Sequence, residues 1–202
     1  MKNELTENEL ILLDNLVYLK TDDKYINGRC TVSDIINEFT ESPKLLDENK
    51  NDKGEYPRMM SKGEWKRIIK NISNNPKLMN LHVAKIKETK SGMKAMVLVE
   101  NPKDKTSATV IFRGTTCDDE WLDNAKGGFM ADTPGQIEAL EFINNISKYY
   151  GYKNMTVSGH SKGGNRSQYV ALLSDNIGRC ISIDGQGFSP EFRANTELHN
   201  KL

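Results

Sequence analysis

The segment from Met155 to Asn165 constrains the fold more than any other part of this sequence. It reads MTVSGHSKGGN, a β-branched run followed by the pattern G-x-S-x-G and one further glycine. A serine between two glycines at the junction of a strand and a helix is typical of a nucleophile elbow, a sharp turn that holds the hydroxyl at its tip. Small neighbours relieve the crowding that such a strained turn creates. The segment therefore predicts a strand, a strained turn at Ser161 and a helix that begins beneath it.

The sequence around this segment predicts alternating helices and strands. A long helix begins at Thr133-Pro134, runs through Tyr150 and ends at Gly151, and a strand follows over 154–158. The next helix covers about 161–175 with Gly178 as its stop, and a strand covers 179–183. Strands that alternate with helices pair in parallel through right-handed crossovers. This half of the chain predicts an α/β fold.

Three earlier runs show the two-residue period of β-strands. They cover 81–88, 94–100 and 107–113, and short turns separate them. Such short connections join antiparallel neighbours. We expect an antiparallel meander that continues into the parallel strands, which makes the sheet mixed.

The N-terminal part is predicted to be helical. Thr6 with Glu9 and Ser61 with Glu64 form capping boxes, each followed by apolar residues at helical spacing, and a further helix begins near Thr31 or Ser33. The segment 42–60 is rich in charge and holds two prolines, so it reads as a mobile surface loop. A calcium-binding reading of this loop fails, because a register that starts at Asn49 puts Met60 where a bidentate carboxylate is required.

Length and charge narrow the possible classes of protein. With 202 residues we expect one domain over 1–202, made of a helical part at 1–80 and a sheet core at 81–202. Lys and Arg number 28, as do Asp and Glu, so the balanced charge argues against nonspecific binding of nucleic acid. Three distant cysteines, an acidic N-terminus and the lack of a long apolar run predict a cytoplasmic protein without a transmembrane segment.

A second segment complements the serine. An ester-cleaving serine needs two N–H donors for the oxyanion, one from the residue after the nucleophile, here Lys162, and one from a loop after an earlier strand. The turn after strand 107–113 could supply the second donor. It reads FRGT over 112–115, with Trp121 about six residues further on.

Together the FRGT turn, Trp121 and GHSKGGN resemble the class 3 lipase type of α/β-hydrolase, closest to a bacterial branch with a GHSKGGN elbow. The helix with Asp14–Leu19, the helix with Pro134 and Gln136, and the segment 184–188 are also similar to that branch. In the segment 184–188, Gln186 replaces the proline of the family's D-G-P-G-F. We interpret this segment as structural. The resemblance implies a three-layer α/β-hydrolase-like fold, with Ser161 as nucleophile and the amides of Thr115 and Lys162 as the oxyanion hole.

This sequence differs from that family in its catalytic triad. The triad follows the chain order Ser, acid, His on loops after later strands. The residues after Ile183 are fewer than the roughly 30 that another strand-helix-strand unit requires. We therefore expect the acid and the histidine beyond Leu202, in a C-terminally truncated chain, with Asp184 and His199 as the only candidates inside it.

For the other chemically active side chains we expect structural or surface roles. His82 and His160 are expected to serve packing, Lys162 is taken as a solvent-facing lysine with or without an attraction for anionic substrate, and Cys117 is taken as a bystander. The acidic group Asp118, Asp119, Glu120 and Asp123 lacks histidine and reads as a solvated loop rather than a metal site. No metal or organic cofactor is implied.

The predicted function is serine hydrolysis of carboxylic esters, small-molecule or lipid, through an acyl-enzyme. Two alternatives stay open: a non-catalytic lipase-like binding module that keeps the elbow, and an inactive fragment that cannot complete its sheet. The sequence does not specify the substrate or the oligomeric state.

Overall fold

A mixed sheet with helices on both faces organises the described chain. The computed structural model describes residues 4–21, 25, 29–90, 92–115 and 132–194. Its helices are α1 (Glu7–Leu16), α2 (Val32–Glu41), α3 (Lys62–Ser73), α4 (Pro76–Met79), α5 (Pro134–Tyr150), α6 (Lys162–Leu173) and α7 (Pro190–Arg193). Its strands are β1 (His82–Glu88), β2 (Lys94–Val99), β3 (Thr109–Phe112), β4 (Met155–His160) and β5 (Ile177–Ile183).

The strands lie side by side in chain order, from β1 to β5. β1 pairs with β2 and β2 with β3 in antiparallel fashion, whereas β3 with β4 and β4 with β5 are parallel. The predicted meander and the predicted parallel half are both confirmed. Because β3, β4 and β5 are parallel, their carboxyl ends meet at one edge of the sheet, which we call the elbow edge.

Local signals for helix ends are confirmed where they were predicted. Complete capping boxes open α1 at Thr6, α2 at Thr31, α3 at Ser61 and α5 at Thr133. Gly151 ends α5 in the left-handed conformation, at φ 79°. Each cap satisfies an N–H or carbonyl group that the helix itself leaves without a partner.

The sheet buries both faces, and the alternation along β2 shows how. Met96 and Leu98 join the apolar cluster made with α1 to α4, whereas Ala95 and Val97 join the cluster made with α5 and α6. All six residues of β2 are buried. A central strand covered on both faces reads as a continuous apolar run, which explains its sequence.

The segment 42–60 is more ordered than predicted. It contains two 3₁₀ helices, Pro43–Asn49 and Pro57–Met59, and Leu46 is only 2% exposed. The Asp47 carboxylate accepts hydrogen bonds from the Tyr56 hydroxyl at 2.5 Å and the Lys62 ammonium at 2.6 Å. The charge that predicted a solvated loop therefore has a second effect, because the Asp47 carboxylate ties the loop to the start of α3.

The predicted role of Gly178 is wrong. α6 ends at Leu173 with Ser174 as its C-cap, and Gly178 lies inside β5. A Cβ at position 178 would lie 1.8 Å from the Asn154 side-chain oxygen. The glycine is therefore explained by this close approach and not by a helix end.

Bilayer-spanning elements are not found in the part of the chain that the structure describes. None of its helices combines the length and apolar character that crossing a membrane requires.

The cap of α5 allows a first test. Thr133 is 1% exposed and its hydroxyl accepts the Gln136 N–H, whereas the equivalent Thr6 cap of α1 is exposed. We expect Thr133→Ala to lower the free energy of unfolding by about 1–2 kcal/mol, because it removes a buried side-chain acceptor and leaves the Gln136 N–H with only the Thr133 carbonyl, at 3.0 Å. Thr6→Ala is the matched control and should cost about 0.5–1 kcal/mol. Urea unfolding of both variants measures the difference, and equal losses would contradict the buried cap.

Candidate active site

Ser161 lies at the tip of a sharp turn between β4 and α6. Its backbone has φ 55° and ψ −119°, a positive-φ conformation that non-glycine residues rarely adopt. The Ser161 N–H donates to the carbonyl of Ile183 at 2.9 Å, which fixes the turn to the end of β5. Such backbone strain costs about 1–3 kcal/mol and persists only where the surroundings enforce it. The predicted strained turn is confirmed.

Glycines around Ser161 allow backbone to pack directly on backbone. A Cβ at Gly163 would lie 2.1 Å from the carbonyl oxygen of Phe112, and one at Gly159 would lie 2.4 Å from the carbonyl carbon of Gly163. These separations are far below van der Waals contact. The first turn of α6 therefore sits against the ends of β3 and β4, closer than any side chain would permit.

The turn Arg113–Thr115 lies beside Ser161, as the predicted oxyanion loop requires. Phe112 pairs with Gly159 in the parallel register, so the residues that follow β3 and β4 leave the sheet together. A Cβ at Gly114 would lie 2.6 Å from the carbonyl oxygen of His160, the residue before the serine. The two sequence motifs are thus brought together at the elbow edge.

Hydrogen bonds hold Arg113 from several sides. Its N–H donates to the Lys94 carbonyl at 2.9 Å, and its carbonyl accepts from Nη1 of the buried Arg166 at 3.0 Å. Its guanidinium forms an ion pair with Glu88 at 2.9 Å and donates to the Gly92 carbonyl at 2.8 Å. The turn that Arg113 begins is therefore anchored to β1, β2 and α6.

Lys162 is not the solvent-facing lysine that the sequence predicted. The residue is 1% exposed, so its side chain is not available to draw a substrate from solvent. Its backbone N–H belongs to the first turn of α6, where helix amides and the positive end of the helix dipole point outward. That amide, and not the ammonium group, remains the functional candidate at this position.

Asn165 connects three elements behind Ser161. Its side-chain oxygen accepts from Gln136 Nε2 at 2.9 Å, and its Nδ2 donates to the carbonyls of Gln186 and Gly187 at 3.1 and 3.2 Å. These bonds join the start of α5, the first turn of α6 and the segment after β5. They support a structural interpretation of the segment 184–188. Sequence reasoning noted these residues only by resemblance and missed their connection.

The histidines do not form a triad within the described residues. His82 begins β1 opposite Val99, at the sheet edge away from Ser161. His160 Nε2 lies 4.0 Å from the Asp184 carboxylate, which is 87% exposed, and burial lowers the pKa of His160. The candidate His199 lies outside the described residues. So do the predicted bystander Cys117, Trp121 of the resemblance, and the predicted solvated acidic group Asp118, Asp119, Glu120 and Asp123.

A buried carboxyl group from α1 lies under the elbow strand. Asp14 is 1% exposed, and its Oδ2 accepts a hydrogen bond from the Ser158 hydroxyl at 3.0 Å. Burial raises the pKa of Asp14 to about 7, against the lowering effects of the Ser158 bond and the charge of Arg58. The N-terminal helix therefore contributes a titrating group beside Ser158, in the strand that leads to Ser161. Only the family resemblance drew attention to this helix in the sequence.

Residues 72–201 match the Mbeg1-like family, more than half of the chain. The chain belongs to the Mbeg1-like family. The match excludes α1, α2 and most of α3. No curated protein sequence matches the chain.

Solved structures with a similar arrangement include fungal lipases. A fungal lipase-inhibitor complex is 18% identical with a TM-score of 0.35, covering 72% of this chain and 57% of the lipase. A triacylglycerol lipase from Penicillium expansum is 14% identical with a TM-score of 0.36, covering 79% and 63%. A native Rhizomucor miehei lipase-propeptide complex is 18% identical with a TM-score of 0.29, covering 85% and 54%. This chain thus spans less than two thirds of each lipase.

The backbone contact beneath the elbow gives a second prediction. Gly163→Ala should lower the free energy of unfolding by about 3 kcal/mol or more, because the new Cβ meets the Phe112 carbonyl. Gly63→Ala is a matched control, since Gly63 also holds the second position of its helix but has only the Ser61 hydroxyl, at 3.9 Å, near its Cβ position. It should leave stability unchanged or raise it by up to about 1 kcal/mol. Similar losses from both in denaturant unfolding would refute the tight contact.

The raised pKa of Asp14 gives a third prediction. Between its unfolded pKa of 3.8 and its folded pKa of about 7, the folded chain binds more protons than the unfolded chain. Stability from this group is therefore complete below about pH 4 and is lost as pH rises through 7. Asp14→Asn keeps an acceptor for Ser158 but cannot titrate.

Urea unfolding at pH 4.5 and pH 8 tests this prediction. The stability of Asp14→Asn relative to the unsubstituted chain should increase by about 2 kcal/mol or more between the two pH values. A difference that stays constant with pH would show that Asp14 does not titrate in this window.

Proposed function

We propose that this protein is a serine hydrolase with an α/β-hydrolase fold that cleaves carboxylic esters through an acyl-enzyme at Ser161. One observation carries the proposal: Ser161 stands on a strained, positive-φ turn before a helix, and the Arg113–Thr115 turn packs beside it. A serine held in this way presents its hydroxyl above the backbone amides around it. The serine motif and the membership of the Mbeg1-like family support the same assignment.

The proposed oxyanion donors are the backbone amides of Thr115 and Lys162. Beside them, the Gly114 N–H donates to the Tyr18 hydroxyl and the Ser161 N–H donates to the Ile183 carbonyl, which fixes both turns. The Lys162 amide lies in the first turn of α6, so the positive end of that helix dipole would also stabilise the oxyanion. Donors fixed in advance need no reorganisation as charge develops on the carbonyl oxygen, and loss of one typically lowers kcat by about 10²–10³-fold.

In the proposed reaction the Ser161 oxygen attacks the ester carbonyl carbon while its proton passes to a general base. The tetrahedral intermediate collapses, the ester C–O bond breaks, and the alcohol leaves with that proton. Water then adds to the acyl-enzyme by the same steps and releases the acid. We place the general base outside the described residues, where His199 is a candidate with Asp184 as its acid. Another acid and another histidine are the alternative suggested by the resemblance.

The proposed substrates are carboxylic esters, with acyl lipids as one class. The lipases found by structural comparison are larger than this chain, so their substrates serve here only as a guide to which esters to test first.

We also propose that the chain forms one domain over 1–202 and that the protein is cytoplasmic. The free thiols of Cys30 and Cys180 suit a reducing compartment.

Labelling with a fluorophosphonate probe tests this function. The probe should form one adduct, located at Ser161 by mass spectrometry, and Ser161→Ala should abolish it while the circular dichroism spectrum is unchanged. Ser174→Ala is the control serine variant and should label normally. A folded chain that does not label would exclude the hydrolase and favour the binding-module alternative.

His199→Gln separates the two candidate sources of the base. If His199 accepts the Ser161 proton, the variant should label at least about 100-fold more slowly, the lower end of what general-base catalysis contributes. Labelling at the unsubstituted rate would assign the base to another group.

A further inference from the structure

Tyr18 of the N-terminal part reaches the proposed oxyanion turn. It lies two residues after α1, is 6% exposed, and its hydroxyl accepts a hydrogen bond from the Gly114 N–H at 3.0 Å. A Cβ at Gly114 would lie 2.2 Å from that oxygen. Position 114 therefore has to be glycine for this bond to form, and the bond joins residues 96 positions apart in the chain.

The Tyr18 ring is itself fixed in place. The Tyr18 backbone N–H donates to the Asn15 carbonyl at 3.0 Å, and the Arg58 guanidinium carbon lies 5.8 Å from the ring centroid. Arg58 also donates to the Asn15 side-chain oxygen. An aromatic ring held by a backbone bond and a cation has little freedom to move its hydroxyl away from Gly114.

The residue after Tyr18 adds a second connection to the same turn. The Leu19 carbonyl accepts from the buried Lys94 ammonium at 2.9 Å, and the Lys94 carbonyl accepts from the Arg113 N–H at 2.9 Å. Residues 18 and 19 are thus joined to both Arg113 and Gly114. The segment after α1 acts as a brace along the outer side of the turn.

We infer that Tyr18 is a positioning residue that sets the orientation of the Arg113–Thr115 turn for oxyanion binding. This inference rests on the proposed function. By engaging the Gly114 N–H, the Tyr18 hydroxyl fixes the peptide plane between Arg113 and Gly114, and the close packing of Gly114 against Tyr18 and His160 limits how the next plane, which carries the Thr115 amide, can turn. Tyr18 lies outside the family match at 72–201, so the N-terminal part completes a site whose motifs lie within that match.

Tyr18→Phe tests the inference because it removes one oxygen atom and keeps the ring. A displacement of about 1 Å in a catalytic group can cost about 10²-fold in rate. We expect the second-order rate constant for fluorophosphonate labelling of Ser161 to fall at least about 10-fold. With a p-nitrophenyl ester, kcat should fall by a similar factor while KM changes less than about 2-fold, since the oxyanion forms after substrate binding.

Tyr152→Phe is the matched control. Tyr152 is 2% exposed, and its hydroxyl accepts from Lys105 Nζ at 3.2 Å, on the connection between β2 and β3 at the edge away from Ser161. It should label at the unsubstituted rate. Both variants lose one buried hydroxyl, so a general loss of stability would affect them alike, whereas the positioning role affects Tyr18 alone.

The outcomes distinguish this inference from the proposed function. If the unsubstituted chain does not label at Ser161, both fail. If it labels and Tyr18→Phe labels equally fast, the hydrolase stands and the positioning role is overturned. Amide hydrogen exchange in the unsubstituted chain provides a test that does not require the variant to fold: the Gly114 amide should be protected, and exchange as fast as at exposed amides would overturn the inference.

Discussion

Direct packing of backbone on backbone beneath Ser161 is the constraint on which the rest of the structure depends. A helix can start this close to two strands only where side chains are missing, and Gly159 and Gly163 meet that need with positions for Cβ atoms only 2.1–2.4 Å from main-chain atoms. The strained serine follows from the contact, because the chain must reverse within one residue. The strain persists because β5, through the Ile183 carbonyl, holds the serine amide from the other side.

Local signals in the sequence predicted the elements well. Capping boxes at Thr6 and Ser61, the left-handed Gly151 and the two-residue period of the early strands depend on neighbours within a few positions, and all appear in the structure. The elbow was predicted for the same reason, since its glycines, strand and helix are contiguous. Roles in catalysis for Ser161, Thr115 and Lys162 remain predictions that these local features support.

Burial and contacts that depend on residues distant in sequence could not be predicted from the sequence. Lys162 was expected in solvent and is buried, and Gly178 was read as a helix stop although it accommodates Asn154. The Asn165 side chain joins residues from 136 to 187, which no local pattern encodes. The segment 42–60 was judged by composition alone, yet Asp47 organises it through partners at 56 and 62. In each case tertiary contact decided what propensity could not.

Of the two halves of the proposed ester hydrolysis, the described residues support oxyanion binding more directly than proton transfer. The proposed nucleophile, the Arg113–Thr115 turn and the N-terminus of α6 meet at the elbow edge, and the N-terminal part contacts this region through Tyr18 and Asp14. Proton transfer depends on a base that the proposal places elsewhere. These halves are separable in energy, because serine hydrolases stripped of triad residues keep about 10³–10⁴-fold catalysis over water from the oxyanion hole and binding. In the proposed reaction, the amides that would hold the oxyanion therefore contribute to catalysis separately from whichever residue accepts the proton.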